Sequence, residues 1–198
     1  MRILSMSALV CTVALLSACE TTQDQATMSG FTSPSSSGRI SGSLSNQPIV
    51  PIIDADGDGF SFTAGSVEGE GLLAVAGLVE GTDVSFRPSV GSGTFEGVYA
   101  LVYVDDISLS GNYIQGQRDA TSGPITLTAD FANRTLTSTN SPVTVNGRME
   151  GRDLSGTVQY RGVNGQLDGL VGGDKTVGAF HGNNADLIYA GGFLANRE

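Results

Sequence analysis

Residues 153–171 read DLSGTVQYRGVNGQLDGLV, and this stretch decides the fold. Small or apolar residues alternate with polar residues on both sides of Arg161-Gly162. The alternating set is Leu154, Gly156, Val158 and Tyr160 before that pair, and Val163, Gly165, Leu167, Gly169 and Val171 after it. A period of two places successive side chains on opposite faces of a β-strand. Because glycine accepts the positive φ of a tight turn, the stretch predicts an antiparallel hairpin with one face on a core.

The same alternation recurs in other parts of the C-terminal half. Residues 125–131 alternate in this way, and turn-forming sequences stand at Ala132-Asn133-Arg134, Asn146-Gly147 and Gly172-Gly173-Asp174. Breaks at intervals of about ten residues are typical of an up-and-down meander of strands. Glycines inside strands suit the curvature of a closed sheet. The sequence therefore predicts an all-β fold, an antiparallel up-and-down barrel of about eight strands that is water-soluble because its outward positions are polar.

The segment that precedes the barrel is predicted to pack against it. Residues 94–104 are largely apolar on both faces, so another part of the chain should cover the outside of the barrel there. We assign this cover to residues 39–90, an irregular N-terminal β segment, and the barrel itself to residues 91–198. Residues 72–79 fit a buried strand or a short helix, because periodicity does not separate the two in a short apolar run. A short strand is also predicted, with Val84, Phe86 and Pro88 as its alternating positions.

The N-terminus resembles that of a bacterial lipoprotein precursor. Arg2 precedes an apolar stretch at 3–16, and the sequence Leu16-Ser17-Ala18-Cys19 resembles a lipobox. This resemblance implies cleavage of a signal peptide, residues 1–18, and attachment of fatty acyl chains such as palmitate to Cys19. Two or more acyl chains hold a protein firmly on a membrane. Residues 19–38 are rich in Ser, Thr, Gln and Gly, and we interpret them as a flexible, disordered tether.

Charge and cysteine usage limit the classes of partner. The formal net charge is −10, which disfavours nucleic acid and anionic membrane surfaces, since neither attracts an acidic chain. Of the two cysteines, Cys11 lies in the predicted signal peptide and Cys19 is the predicted lipid site. No thiol then remains for a disulfide or a zinc cluster. We expect no cofactor, and stability should come from burial and backbone pairing.

An acidic stretch matches the first half of a calcium-binding loop. Asp54, Asp56 and Asp58 stand at positions 1, 3 and 5 of such a loop, and Gly59 at position 6. Such a loop has a bidentate Glu at position 12, but this chain has Gly65 there. The stretch is therefore a weak calcium candidate, and an acidic turn is the alternative.

Other residue patterns that could support catalysis are sparse. His181 is the only histidine, so any Ser-His-Asp triad would depend on it. A hydrogen-bonding role near a strand end is the simpler interpretation. Asp105-Asp106 follows a strong strand, and neighbouring residues on a strand point to opposite faces. We interpret that pair as a turn, and we predict that the protein is not an enzyme.

The C-terminal segment carries a motif that resembles a known family. Its residues are Gly178, Phe180, Gly182 and Ala185, followed after a short gap by Gly191, Gly192 and Phe193. This pattern resembles the closing motif of the transferrin-binding protein B barrel family, which includes surface lipoproteins that bind host proteins. The resemblance implies a soluble barrel in which Phe180 and Phe193 fill the interior from adjacent strands. The family's transferrin binders have two lobes with long loops, so the resemblance concerns the fold and not transferrin itself.

These observations predict a lipid-anchored binding module. The expected location is the outer membrane, on the cell surface or the periplasmic face, with a protein or a small solute as the unknown ligand. Eight-stranded barrels are filled by side chains or hold one small ligand. The alternatives are a structural or assembly lipoprotein of the envelope and a barrel-type protease inhibitor. Candidates for an exposed aromatic contact are Tyr103, Tyr113 and Tyr189, although each also fits the barrel core or wall.

Overall fold

The computed structural model describes residues 27–41, 48–67, 71–110, 113–139 and 141–198. The predicted signal peptide and Cys19 lie outside these residues. Every regular element in the described part of the chain is a β-strand. None of the described residues forms a helix with the length and apolarity needed to span a bilayer.

Twelve strands form two connected sheets. The strands are β1 (Thr27–Phe31), β2 (Val50–Ile53), β3 (Gly59–Val67), β4 (Gly71–Leu78), β5 (Ser92–Ser110), β6 (Tyr113–Asp130), β7 (Thr135–Thr139), β8 (Val143–Glu150), β9 (Asp153–Tyr160), β10 (Val163–Val171), β11 (Lys175–Asn183) and β12 (Ile188–Arg197). Strands β5 to β12 close into a barrel in chain order, and every neighbouring pair is antiparallel. The predicted eight-stranded antiparallel up-and-down barrel is thus confirmed.

Large side chains fill the interior of the barrel. Its fully buried aromatic residues are Phe95, Phe131, Phe180, Tyr189 and Phe193. The alternating apolar residues of β9 and β10 point into the same core. Gly178 leaves room for one of these rings, because a Cβ there would lie 2.4 Å from Cζ of Phe193. The interior is a packed core rather than a channel, as expected for a barrel of this strand number.

A second, four-stranded sheet lies against the outside of the barrel. Its strand order is β1-β4-β3-β2, with β1 parallel to β4 and the other pairs antiparallel. We call it the outer sheet. Phe60 and Phe62 of β3 share a core with Ala100, Val102 and Ala190 on the outer faces of β5 and β12. The outer face at Ala100, Val102 and Val104 is therefore buried under this sheet, whereas Val98 remains 46% exposed.

Three local predictions differ from the structure. Residues 27–31 fall within the predicted tether but form β1, because they pair with residues 72–76 of β4. Val84, Phe86 and Pro88 do not form a strand but lie in an irregular connection. Asp105-Asp106 is not a turn: β5 continues through it with a β-bulge, and Asp106 takes a φ of 51°. The ambiguous run at 72–79 is a strand, β4.

The two ends of the barrel differ. Residues 79–91, which we call the strap, cross one end, here called the strap end. The Arg87 side chain donates to the backbone oxygen of Gly151 at 2.5 Å, and Arg152 donates to that of Val84 at 2.8 Å. The strap is thus tied to the β8–β9 turn. The opposite end, where β9 joins β10 and β11 joins β12, we call the rim end.

Candidate functional site

The rim end contains an open cavity of about 660 Å³. It is lined by Asp105, Asp106, Ile107, Arg161, Val163, Asn184, Asp186 and Leu187. The bulge in β5 brings Asp105 and Asp106 to the cavity, and the β11–β12 connection brings Asp186. Val163 and Leu187 are buried and form its apolar floor. We call this feature the rim cavity.

Arg161 closes the barrel interior beneath the rim cavity. Its Nη1 lies 2.8 Å from Oδ2 of Asp105, and its Nη2 donates to the hydroxyl of Tyr103 at 3.0 Å. The guanidinium carbon lies 4.3 Å from the centre of the Tyr103 ring and 5.4 Å from that of Tyr160. Cation–π contact and the ion pair together hold the guanidinium in place. Burial raises the pKa of Tyr160, so this ring stays neutral beneath it.

The rim cavity keeps an excess of negative charge. Arg161 is paired with Asp105, whereas the exposed carboxylates of Asp106 and Asp186 have no cation or hydrogen-bond donor among the described residues. Three carboxylates and one guanidinium therefore line one concave surface. Such a surface favours a cationic group, because its net charge is negative and its field attracts the opposite sign.

The predicted calcium ligands come together at the strap end. Carboxylate oxygens of Asp54, Asp56 and Asp58 lie within 4.8 Å of one another in the β2–β3 turn. The ammonium of Lys175 lies among them, at 2.6 Å, 3.2 Å and 2.7 Å from these three residues in that order. An internal cation thus stands where the sequence predicts calcium, and the calcium assignment stays a prediction.

The electrostatics of this cluster favour its charged form. Burial alone would raise the pKa of Asp54, but hydrogen bonds from Lys175 and from the backbone of Asp58 and Asp56 outweigh it and lower that pKa. The Lys175 side chain is only 9% exposed. Burial disfavours its charge, yet hydrogen bonds to the three carboxylates raise its pKa above the ordinary lysine value. The cluster therefore joins the outer sheet to β11 through a persistent ion pair network.

His181 is held in a structural network rather than a catalytic one. Its Nδ1 lies 3.0 Å from Oγ of Ser29, and that hydroxyl donates to Oδ1 of Asn183 at 2.7 Å. Because the hydroxyl proton goes to Asn183, we assign Nδ1 of His181 as the donor to Ser29. A Ser-His nucleophile needs the opposite arrangement, with serine donating to the imidazole. Burial lowers the pKa of His181, so the imidazole is neutral near pH 7.

The residues of the family motif lie on the last two barrel strands. Gly178, Phe180 and Gly182 are on β11, and Gly191, Gly192 and Phe193 are on β12. Ala185 lies in the exposed connection between them. Gly182 is needed for packing, since a Cβ there would lie 2.7 Å from the ring of Tyr189.

The tyrosines considered as contact residues are mostly buried. Tyr189 lies inside the barrel, where its hydroxyl donates to the backbone oxygens of Val158 and Val163, each at 3.1 Å. Tyr103 is buried beneath Arg161. The side chain of Tyr113 is outside the described part of the structure. Among the described aromatic side chains, Phe86 on the strap is the most exposed, at 90%.

Sequence reasoning did not bring the residues of the rim cavity together in one site. Asp186 and Arg161 are far apart in the chain, and each follows a strand that ends at the rim end. Only the closed pairing of β9 to β12 brings them together. The Arg161-Gly162 turn was visible in the sequence, but a turn residue gives no sign of the two tyrosine rings that hold its side chain.

Several solved structures are similar in arrangement to this chain. Intact transferrin-binding protein B, Ap-TbpB with its N and C lobes, matches at 14% identity with a TM-score of 0.46, covering 76% of this chain and 38% of that one. A protein described as a surface lipoprotein matches at 14% identity and a TM-score of 0.48, covering 76% and 81%. HpuA from Kingella denitrificans, in complex with human haemoglobin, matches at 14% identity and a TM-score of 0.43, covering 71% and 55%.

These similarities concern strand arrangement. Transferrin-binding protein B, the family that the C-terminal motif resembles, is among the matched structures, and this chain spans 38% of the length of the intact two-lobed protein. No family model matches the sequence, and no curated protein matches it.

Proposed function

We propose that this chain is a lipid-anchored module that binds a protein partner through its rim cavity. The observation that supports this proposal is the contrast between a barrel filled by aromatic side chains and an open cavity above it with unpaired carboxylates on Asp106 and Asp186. A ligand cannot enter a packed interior without displacing the core. Recognition is therefore at the surface, by a basic group of the partner.

A small solute is the second candidate ligand. A pocket of about 660 Å³ is large enough for a small molecule. Small-molecule sites, however, bury most of the ligand, and this cavity is open to solvent at the barrel rim. A protruding basic side chain of a protein fits such an open acidic concavity better.

The position of β1 supports placing the rim end of the module near the membrane in this proposal. Thr27 pairs with Leu72, and Ser29 contacts Asn183 at the rim end. The chain thus enters the fold at the rim end. Cys19, the proposed lipid site, precedes Thr27 by about eight residues, which span at most about 27 Å when extended. In this proposal the rim cavity is on the side of the molecule nearest the outer membrane, which favours a partner located there and keeps an envelope-assembly role as the alternative.

Paired charge-neutralising variants test the partner site. A photoreactive residue beside the rim cavity, at Asn184, should cross-link a discrete partner in cells that carry the full lipidated chain. Asp106→Asn together with Asp186→Asn should reduce that yield severalfold, since a surface charge pair contributes up to about 1 kcal/mol. Asp153→Asn, at the strap end, is the matched control and should leave the yield unchanged.

An undiminished yield in the double variant, or an equal loss in the Asp153→Asn control, would rule out the rim cavity as the partner site. The anchor has its own test: Cys19→Ser should move the protein from the membrane fraction to the soluble fraction.

A further inference from the structure

One outward face of the barrel has no charged side chain, although the chain as a whole is acidic. It spans four neighbouring strands, β8 to β11. In the first row, Asn146 pairs with Thr157, Thr157 with Gln166, and Gln166 with His181. In the second row, Thr144 pairs with Gln159 and Gln159 with Asn164, and Asn183 follows on β11. We call these eight residues the amide face.

The side chains of the amide face are available to a ligand. All of them except His181 are exposed. In the next row toward the strap end, Arg148 pairs with Ser155 and Ser155 with Asp168, so charge returns immediately beyond the amide face. The uncharged area therefore ends on the strap side, whereas on the other side it continues through Thr137 of β7.

At its β11 edge, the amide face ends in a notch between the barrel and strand β1 of the outer sheet. A cavity of about 330 Å³ lies there, and its side-chain lining comes from Ser29, Asn164, Gln166, His181 and Asn183. Phe31 lies beside the cavity through its contact with His181: the two ring centroids are 4.5 Å apart, and Phe31 is 42% exposed. Neutral donors and acceptors thus line the notch, and a partly exposed aromatic ring lies next to one of its lining residues.

The hydrogen bonds within the amide face leave groups of both polarities free. Nε2 of Gln159 donates to Oδ1 of Asn164 at 3.1 Å. This bond leaves the carbonyl oxygen of Gln159 and the amide nitrogen of Asn164 for other partners. The hydroxyl of Ser29 uses Oδ1 of Asn183, which leaves the amide nitrogen of that residue. Acceptors and donors therefore alternate over a distance of a few ångströms.

We propose that the amide face binds a neutral oligosaccharide, with the notch at His181 as its anchoring end. Sugar hydroxyls both donate and accept, and side-chain amides match both roles. The apolar face of a sugar ring packs on an aromatic ring such as Phe31, which supplies apolar contact area beside the polar groups. Four strands spaced about 4.8 Å apart make a platform roughly 15 Å wide, which suits an extended ligand. This surface is separate from the rim cavity, so the inference goes beyond the proposed protein partner.

The test is a titration of the ¹⁵N-labelled full chain, followed through the side-chain amide signals of asparagine and glutamine. Maltotriose and N,N′,N″-triacetylchitotriose are the neutral probes, and trigalacturonate is the charged control. We expect saturable shifts at Asn164, Gln166 and Asn183 with at least one neutral probe, and none with trigalacturonate. Absence of saturable shifts with both neutral probes, or equally tight binding of trigalacturonate, would overturn the proposal.

Matched double variants locate the binding. Asn164→Ala with Gln166→Ala should weaken binding about tenfold, as expected for the loss of one or two hydrogen bonds. Thr94→Ala with Thr128→Ala is the control, since these threonines form a cross-strand pair on β5 and β6 and neither pairs with a residue of the amide face. An equal loss of affinity in both double variants, or shifts confined to the rim cavity, would contradict the proposed location.

Discussion

The barrel interior and the contact between barrel and outer sheet are two cores of different construction. Inside the barrel, large side chains such as Phe95, Phe180 and Phe193 interlock. At the outer contact, two large rings, Phe60 and Phe62, pack on aliphatic and small residues of the barrel. The aliphatic residues are Val102, Val104, Val177, Ile188 and Leu194, and the small ones are Ala100, Ala179, Ala190 and Gly192. The barrel core depends on large side chains that fill it, whereas the outer contact depends on small residues that leave room for two rings.

The barrel interior and the outer sheet also differ in how much they depend on polar contacts. The interior of the barrel is held by packing, with few polar groups such as the Tyr189 hydroxyl. The outer sheet is fastened at its margins, by Lys175 among the aspartates at the strap end and by Ser29 with His181 at the rim end. Substitutions should therefore act on the interior through cavities, and on the outer contact through overcrowding or through the loss of these ionic and hydrogen-bonded contacts.

The largest expected effect is a cavity in the barrel core. Phe193→Ala should lower the free energy of unfolding by about 3–5 kcal/mol, the usual cost of removing a buried ring. Denaturant unfolding of the variant measures it. Phe86→Ala is the matched control, because Phe86 is 90% exposed and its loss should change stability by less than about 0.5 kcal/mol. A loss for Phe193→Ala below about 1 kcal/mol would show that this ring is not packed as described.

The next effect is expected at the ionic cluster that fastens the outer sheet. Lys175→Met keeps the length of the side chain but leaves three carboxylates without their cation, two of which are largely buried. We expect the free energy of unfolding, measured by denaturant titration, to fall by about 2–3 kcal/mol. This is somewhat below the cost of breaking a fully buried pair, because Asp56 is solvent-exposed. Arg152→Met, which removes an exposed pair with Asp83, should lose no more than about 1 kcal/mol through that pair.

The Lys175→Met variant also tests whether the aspartate cluster can bind calcium. In Lys175→Met the three carboxylates have the spacing of a calcium loop and no competing ammonium, so millimolar calcium should raise the melting temperature of the variant more than that of the wild type. An equal response of the two proteins would show that the Lys175 ammonium does not exclude a divalent cation from this cluster.

Overcrowding at the outer contact should have the third-largest effect. A Cβ at Gly192 would lie 2.3 Å from Cδ2 of Phe60 and 2.4 Å from the backbone oxygen of Gly178. Gly192→Ala should therefore cost about 1–3 kcal/mol and expose β3 to hydrogen exchange while the interior of the barrel stays protected. Gly30→Ala is the control, because nothing lies within 4 Å of a Cβ there. Unchanged protection of β3 in the Gly192 variant would contradict the close approach.

The barrel could be predicted from the sequence because its determinants are local. Alternation in β9 and β10 and glycine-containing turns such as Arg161-Gly162 specify strands and their reversal without long-range information. The pairing of first and last strands follows once the segments curve. Phe180 and Phe193 were expected inside and are fully buried there.

The outer sheet and the rim cavity could not be predicted in the same way. Strand β1 has few residues and pairs in parallel with β4, more than 40 residues away, and short parallel pairs leave no local turn signature. The bulge at Asp105 keeps β5 extended where two adjacent aspartates favour a turn. Lys175 entered no sequence pattern, since its partners Asp54 and Asp58 are brought to it by the packing of two separate sheets.

The smallest predicted effect is a pH dependence at β1, the edge of the outer sheet. His181 is 6% exposed and packs on Phe31, and burial lowers its pKa. The unfolded imidazole has a pKa of about 6.5, so the unfolded or undocked state binds the proton more readily. The contribution of neutral His181 is therefore fully present above pH 6.5 and is lost as the pH falls below it.

Local hydrogen exchange at β1 isolates this contribution from the rest of the molecule. Protection factors of Thr27–Phe31 should fall between pH 7.5 and pH 5, while those of β3 in the same sheet change less. His181→Gln stays neutral and keeps a donor for Ser29, so its β1 protection should vary less with pH than that of the wild type. Burial raises the pKa of Asp168, so this group affects stability in the opposite direction as the pH falls. Its contribution is the same in both proteins and cancels when the variant's pH profile is subtracted from that of the wild type. Identical pH profiles in the two proteins would mean that β1 is held by its pairing with β4 alone, and that His181 does not fasten this edge of the outer sheet.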